Sequence, residues 1–159
     1  MMRLLALSAF LAFVIDQASK WLAFSVLRVG ERGRVDVFDP FLVFRPGMNQ
    51  GINFGLFADG SPGLRITLIL IAVALCAMLT FWARRSFTRP VAFVSAGLIV
   101  GGALANAWDR VMHPGVLDFI NMSCCGLNNP YLFNLADVFI FAGAAGLILF
   151  TGDENKNAA

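Results

Sequence analysis

Residues 66–83 read ITLILIAVALCAMLTFWA, from Ile66 to Ala83, without one charged side chain. A helix needs about 20 apolar residues to cross the hydrocarbon of a bilayer, and this run comes close to that length. Three further runs have the same character. Residues 4–27 are broken only by Asp16 and Lys20, residues 90–108 are uncharged and lead into Asp109-Arg110, and residues 131–152 carry only Asp137. Across all 159 residues, 58% are hydrophobic and 14% charged, which is too apolar for a soluble domain of this size. The expected fold is membrane α-helical, with four transmembrane helices forming one domain over residues 1–159. The formal net charge of +2 gives no argument for a nucleic-acid partner.

Between the first two runs, residues 28–63 have a different texture. Val35-Asp36-Val37-Phe38 alternates, Asp39-Pro40 turns, and Phe41-Leu42-Val43-Phe44 is strand-like. Open strand edges cannot face lipid, so a small sheet on the membrane surface is expected. Residues 111–130 read as a loop on the same side, after two further crossings. The first run is longer than a signal-peptide core, contains Asp16 and Lys20, and lacks a small-x-small cleavage site, so it reads as a retained helix. With four crossings, Arg3, Arg84, Arg85, Arg89 and Lys156 share one side, which favours cytoplasmic termini. Arg28, Arg32, Arg34, Arg45 and Arg65 lie opposite, diluted by Glu31, Asp36, Asp39 and Asp59. Cys76 sits in an apolar run and Cys124 and Cys125 are adjacent, so no spaced disulfide framework exists.

The few ionisable groups in these runs are the informative ones, because a charge at membrane depth costs about 2.5–3.5 kcal/mol unless paired or hydrated. Asp16 and Lys20 are spaced i, i+4, share a helix face and pair, bracing a polar site built by other helices. Gly97, Gly101 and Ala105 form a small-xxx-small ladder that admits a close neighbouring helix. Asn106, Asp109 and Arg110 follow at spacings that allow one hydrogen-bonded knot, either tying off the helix end or serving a site. Asn134 and Asp137 lie i, i+3, with Asp137 about 9 Å along the run from Tyr131 at ~1.5 Å per residue. Asp118, in Val116-Leu117-Asp118-Phe119, belongs to another element, so a pair with Asp137 would be a tertiary meeting.

Two close carboxylates do not both ionise comfortably, so one holds a proton. The ionised one then takes a proton from an attacking water while the other donates to the oxyanion or leaving amine. That is aspartic protease chemistry, with no metal and no cofactor. The single histidine, His113, excludes an HExxH zinc site, and no GxSxG elbow is present. Two other readings remain open: a small proton-coupled transporter or channel subunit using Asp16, Asp109 and Asp137 as a relay, and an assembly subunit using the Gly97/Gly101 face. The first expects internal repeats and broken helices, which the sequence lacks; the second leaves Asp118 unexplained.

Five segments in order carry a resemblance: Asp16-Gln17-Ala18-Ser19-Lys20, Asn49-Gln50-Gly51-Ile52-Asn53-Phe54, the ten residues from Gly101 to Arg110 (GGALANAWDR), Val116-Leu117-Asp118-Phe119, and Phe133-Asn134-Leu135-Ala136-Asp137. With them the chain resembles the bacterial lipoprotein signal peptidases, the type II signal peptidases, over nearly its full length. The resemblance implies an inner-membrane aspartic endopeptidase with four transmembrane helices and a small periplasmic β-cradle. Its site would lie near the periplasmic face and both termini in the cytoplasm. It further implies diacylglyceryl-prolipoprotein substrates cut just before the lipidated cysteine, contact with membrane lipids, and inhibition by globomycin. Asp118 and Asp137 match the family's catalytic pair, and Asp16, Lys20, Asn49, Gly51, Asn106, Asp109, Arg110 and Asn134 fall in its substrate-binding or site-supporting motifs. Nothing demands more than a monomer. The chain departs from the family pattern at Ile52-Asn53, at Ala105, and in Ser123-Cys124-Cys125-Gly126-Leu127-Asn128-Asn129.

Overall fold

A computed structural model describes residues 1–51, 61–124 and 129–151. The departures at Ile52-Asn53 and at Cys125 to Asn128 lie outside the described residues, as does the polar tail.

Among the described residues, three helices are long and apolar enough to cross a membrane. The first is α1 (Met2–Trp21), continued by a π-helical turn over Leu22–Val26. The others are α3 (Pro62–Ser86) and α4 (Pro90–Met112). Pro62 and Pro90 open these two helices, where a missing N–H costs nothing, and the Ser61 hydroxyl accepts from the Leu64 N–H at 3.2 Å. A short α2 (Val29–Arg32) leads from α1 toward the sheet, and Gly33 follows it at φ +71°, a left-handed conformation that glycine adopts without a Cβ clash. The last apolar helix, α5 (Leu135–Thr151), is shorter, with 17 residues. It starts later than the apolar run that begins at Tyr131. Phe133 instead bridges to Ile120, exchanging N–H and C=O bonds at 3.0 and 2.9 Å.

Helix α4 is central and packs against α1, α3 and α5. Its small residues decide how close the neighbours come. A Cβ at Gly97 would collide with Ser8, and one at Gly101 with the Ala9 carbonyl, so the expected ladder does seat a helix, α1. Gly102 serves α5 in the same way: a Cβ there would lie 2.5 Å from the Ala136 carbonyl and 2.9 Å from the Ile140 side chain. Ala136 is next to Asp137, so Gly102→Ala is expected to push the start of α5 off α4. Overpacking of this kind costs about 1–3 kcal/mol, and a lowered melting temperature in detergent is the check.

The segment after the first helix forms a hairpin, as its alternation indicates, of β1 (Val35–Phe38) and β2 (Leu42–Asn49). The stretch read as a loop contains a third strand, β3 (Val116–Asn121), antiparallel to β2 in the order β1-β2-β3. Its register sets Asn49 opposite Val116 and Gly47 opposite Asp118. The sheet is seated on the end of α1. Phe119 packs edge-on against Phe44 (5.1 Å between centroids) and Phe24 (6.1 Å), over a cluster with Ala23, Val29 and Ile120. Each such aromatic pair contributes about 0.5–1.5 kcal/mol beyond area burial, and together they hold the residue next to Asp118.

Candidate active site

Asp118 and Asp137 reach the site from different elements, β3 and the first turn of α5. One side chain touches both. The Asn134 Nδ2 donates to Asp118 Oδ1 at 2.6 Å, while Asn134 Oδ1 accepts from the Asp137 N–H at 3.0 Å. The Asn134 N–H donates in turn to Asp137 Oδ2 at 3.4 Å. This is a capping box: Asn134 is the N-cap of α5 and Asp137 the third helical residue. Asp137 is therefore at the helix entrance rather than two turns in from Tyr131. The partial positive charge of a helix N-terminus favours a carboxylate there.

Asn106 completes the contact with Asp137. Its Nδ2 donates to Asp137 Oδ1 at 3.0 Å, and its Oδ1 accepts from Asn134 Nδ2 at 3.1 Å and from Lys20 Nζ at 3.4 Å. With the oxygen facing two donors, the amide can present only its NH₂ to Asp137. The Asn49 side chain lies beside Asp118 and favours its ionised form, and its Oδ1 accepts from the Gly51 N–H at 3.1 Å. Burial first, and the neighbouring charge of Asp137 second, push the Asp118 carboxyl up to about 7, against the opposing pull of its hydrogen bonds.

Behind this lies a buried ionic cluster. Lys20 Nζ meets Asp16 Oδ2 and Asp109 Oδ2, each at 2.7 Å, so the expected Asp16–Lys20 pair forms and gains a second acid. Asp16 Oδ1 accepts from the Ala136 N–H at 2.8 Å, anchoring the start of α5. The knot expected of Asn106, Asp109 and Arg110 does not form. Arg110 donates to the Asn106 backbone carbonyl at 3.2 Å, but Asp109 turns to α1, where Lys20 and Gln17 supply donors. Gln17 is absent from the sequence-derived site residues. Its Nε2 donates to Asp109 Oδ1 at 2.9 Å and to Asp16 Oδ2 at 3.3 Å. Its place next to Asp16 in the first motif is the one signal that could have found it.

Arg110 faces the open side. Its second amino group donates to the Gly51 carbonyl at 2.8 Å, which ties the end of β2 to α4. Its Nε is buried with no hydrogen-bond partner among the described residues. Arg110 and Asn106 lie on a groove of about 640 Å³ whose other walls are apolar, among them Leu75, Leu79 and Trp82 of α3, Ile99 of α4 and Ile140 of α5. The site thus offers two carboxylates held by amides and a nearby guanidinium, beside a lipid-compatible groove. A Cβ at Gly115 would lie 2.6 Å from the Asn49 carbonyl. Gly115→Ala is therefore expected to part β2 from β3 beside Asp118 and to lower turnover by about tenfold or more, since small displacements of reacting groups are costly; a kinetic assay of the folded variant decides it.

Residues 8–151 match the family described as signal peptidase (SPase) II. The lipoprotein signal peptidase of Nitrobacter hamburgensis is 41% identical over 145 residues, covering 89% of this chain and 87% of that protein. That of Methylorubrum extorquens is 42% identical over 148 residues, covering 92% and 82%. A solved bacterial membrane enzyme, determined by the in meso method, superposes with a TM-score of 0.78 at 24% identity, covering 94% of this chain and 88% of that one. This last likeness is one of fold.

Proposed function

The chain belongs to the signal peptidase II family, and from that premise we propose that it is an aspartic endopeptidase that removes the signal peptide from diacylglyceryl-modified prolipoproteins, cutting just before the lipidated cysteine. The observation that carries the reading is the single Asn134 side chain bonded to Asp118 and to the Asp137 N–H, which gathers two carboxylates from different elements. One of the pair, ionised, takes a proton from water as its oxygen attacks the scissile carbonyl. The other, protonated, donates to the developing oxyanion, and the proton passes on to the leaving amine as the C–N bond breaks. The step requires no metal and no cofactor.

The supporting residues divide the remaining work. Arg110 holds the Gly51 carbonyl from α4, Asn106 orients Asp137, and Asn49 with Gly51 keeps the cradle strand against the site. The apolar groove between α3, α4 and α5 suits a substrate that stays in lipid. Extracting acyl chains costs about 0.8 kcal/mol per CH₂, so lateral entry is the cheap route. In this reading α5 is the fourth crossing, of about 26 Å at ~1.5 Å per residue. The termini are cytoplasmic, the site lies near the periplasmic face of the inner membrane, and the enzyme acts as a monomer.

The test is cleavage in detergent of one precursor, with and without the diacylglyceryl group, with the product read by mass spectrometry. Cutting of the modified form alone, to a product beginning at the lipidated cysteine and blocked by globomycin, is the expected result. Equal cutting of the unmodified form overturns the substrate assignment. No cutting, with proton flux in proteoliposomes, moves the protein to the transporter class. The pH profile carries its own expectation. Asp118 binds its proton more tightly in the folded site than in the unfolded chain, so it is protonated below about 7 and ionised above. The paired chemistry needs one proton, so cleavage is expected to fall as the pH rises through about 7.

A further inference from the structure

As the outer strand of the sheet, β3 presents one edge that no strand covers, and its backbone groups there need partners from elsewhere. They find them in the site. The Leu117 N–H, one residue before Asp118, donates to Asp109 Oδ2 at 3.1 Å, and the Leu117 carbonyl accepts from Asn134 Nδ2 at 3.4 Å. Asp109 is thus the anchor of the strand that carries Asp118. Asp16, through the Ala136 N–H, is the anchor of the helix that carries Asp137. The Gln17 amide donates to both anchors.

We propose that Gln17 is a positioning residue that sets the spacing of the two catalytic carboxylates by coupling the Asp109 anchor of β3 to the Asp16 anchor of α5. Lys20 also joins the two acids, but at their Oδ2 atoms only. A carboxylate held at one oxygen can still swing about its Cβ–Cγ bond. Gln17 takes the other oxygen of Asp109, and with Oδ1 held the plane is fixed and Oδ2 stays aimed at the Leu117 N–H. Gln17 is half-buried on α1, so its amide is replaceable there without opening a cavity.

The inference rests on the peptidase reading, and its test is built to stand apart from it. Gln17→Met keeps length and flexibility and removes both donors. The expected result is a folded protein whose kcat falls about tenfold with KM within about twofold, as loosened positioning predicts. Amide exchange in the peptide covering residues 116–121 should rise about tenfold, while α3 exchanges as in the wild type. Unchanged kcat with unchanged exchange overturns the proposal. So does exchange that rises equally everywhere, or a variant that fails to fold, because either assigns Gln17 to general stability. Should the wild type cleave no lipidated precursor, the peptidase reading fails, and the exchange measurement still decides whether Gln17 holds β3.

Discussion

Asp118→Asn and Asp137→Asn are each expected to abolish cleavage, with a loss of at least about 10³-fold, within the range for deleting a general acid or base. An amide can neither take the proton of the attacking water nor return one to the leaving amine. The two variants should differ in stability. At Asp118 an amide can turn its oxygen to Asn134 Nδ2 and keep that bond. At Asp137 both oxygens accept, one from Asn106 Nδ2 and one from the Asn134 N–H. An asparagine there has one acceptor for two donors, so one buried donor is left unmet at a cost of about 1–3 kcal/mol. A gel-shift assay on lipidated precursor, run beside thermal melts in detergent, reads both quantities. Near-normal turnover by either folded variant removes the paired-carboxylate mechanism. Equal melting temperatures would mean that the Asp137 contacts contribute less than the geometry indicates.

The second large effect is on stability. Lys20→Met leaves Asp16 and Asp109 buried without their cation, since all three side chains are almost fully enclosed. Removing one partner of a buried ionic cluster costs about 3–5 kcal/mol, which for a chain of this size is on the order of 10 °C in melting temperature. Asn106 also loses one of the two donors on its oxygen, so turnover should fall with stability. Lys20→Met with Asp109→Asn removes one of the two stranded charges and is expected to melt higher than Lys20→Met alone. A single variant that melts within a degree or two of the wild type would show that the acids take up protons or water at little cost, and the cluster would then not be a structural brace.

Much of this was legible in the chain itself, and the misses are instructive. Asp16 and Lys20 pair because i, i+4 spacing forces them onto one face whatever else surrounds them. Gly97 and Gly101 seat a helix because only small residues permit that approach, although nothing local says that the helix is α1. Strand β3 was invisible for a physical reason. Val116-Leu117-Asp118-Phe119-Ile120 is buried on both faces and so lacks the alternation that marks β1. Its outer edge is moreover satisfied by Asp109, Asn134 and Phe133 rather than by a strand. The late start of α5 has a similar origin, because Phe133 is taken up by its bridge to Ile120 and Asn134, the next residue, caps the helix.

The sequence by itself determined the class of the protein, because transfer of apolar side chains out of water is additive and local: long runs with few or no charges call for a membrane wherever they pack. It also marked which few polar residues are too costly to be incidental. Only the tertiary structure decided what those residues do for one another. Lys20 meets Asp109, Gln17 reaches Asp109 and Asn134 reaches Asp118 across separations of 89, 92 and 16 residues. Hydrogen bonds are short-ranged and directional, so partners of this kind exist only once helix packing and strand register have set them within about 3 Å of each other.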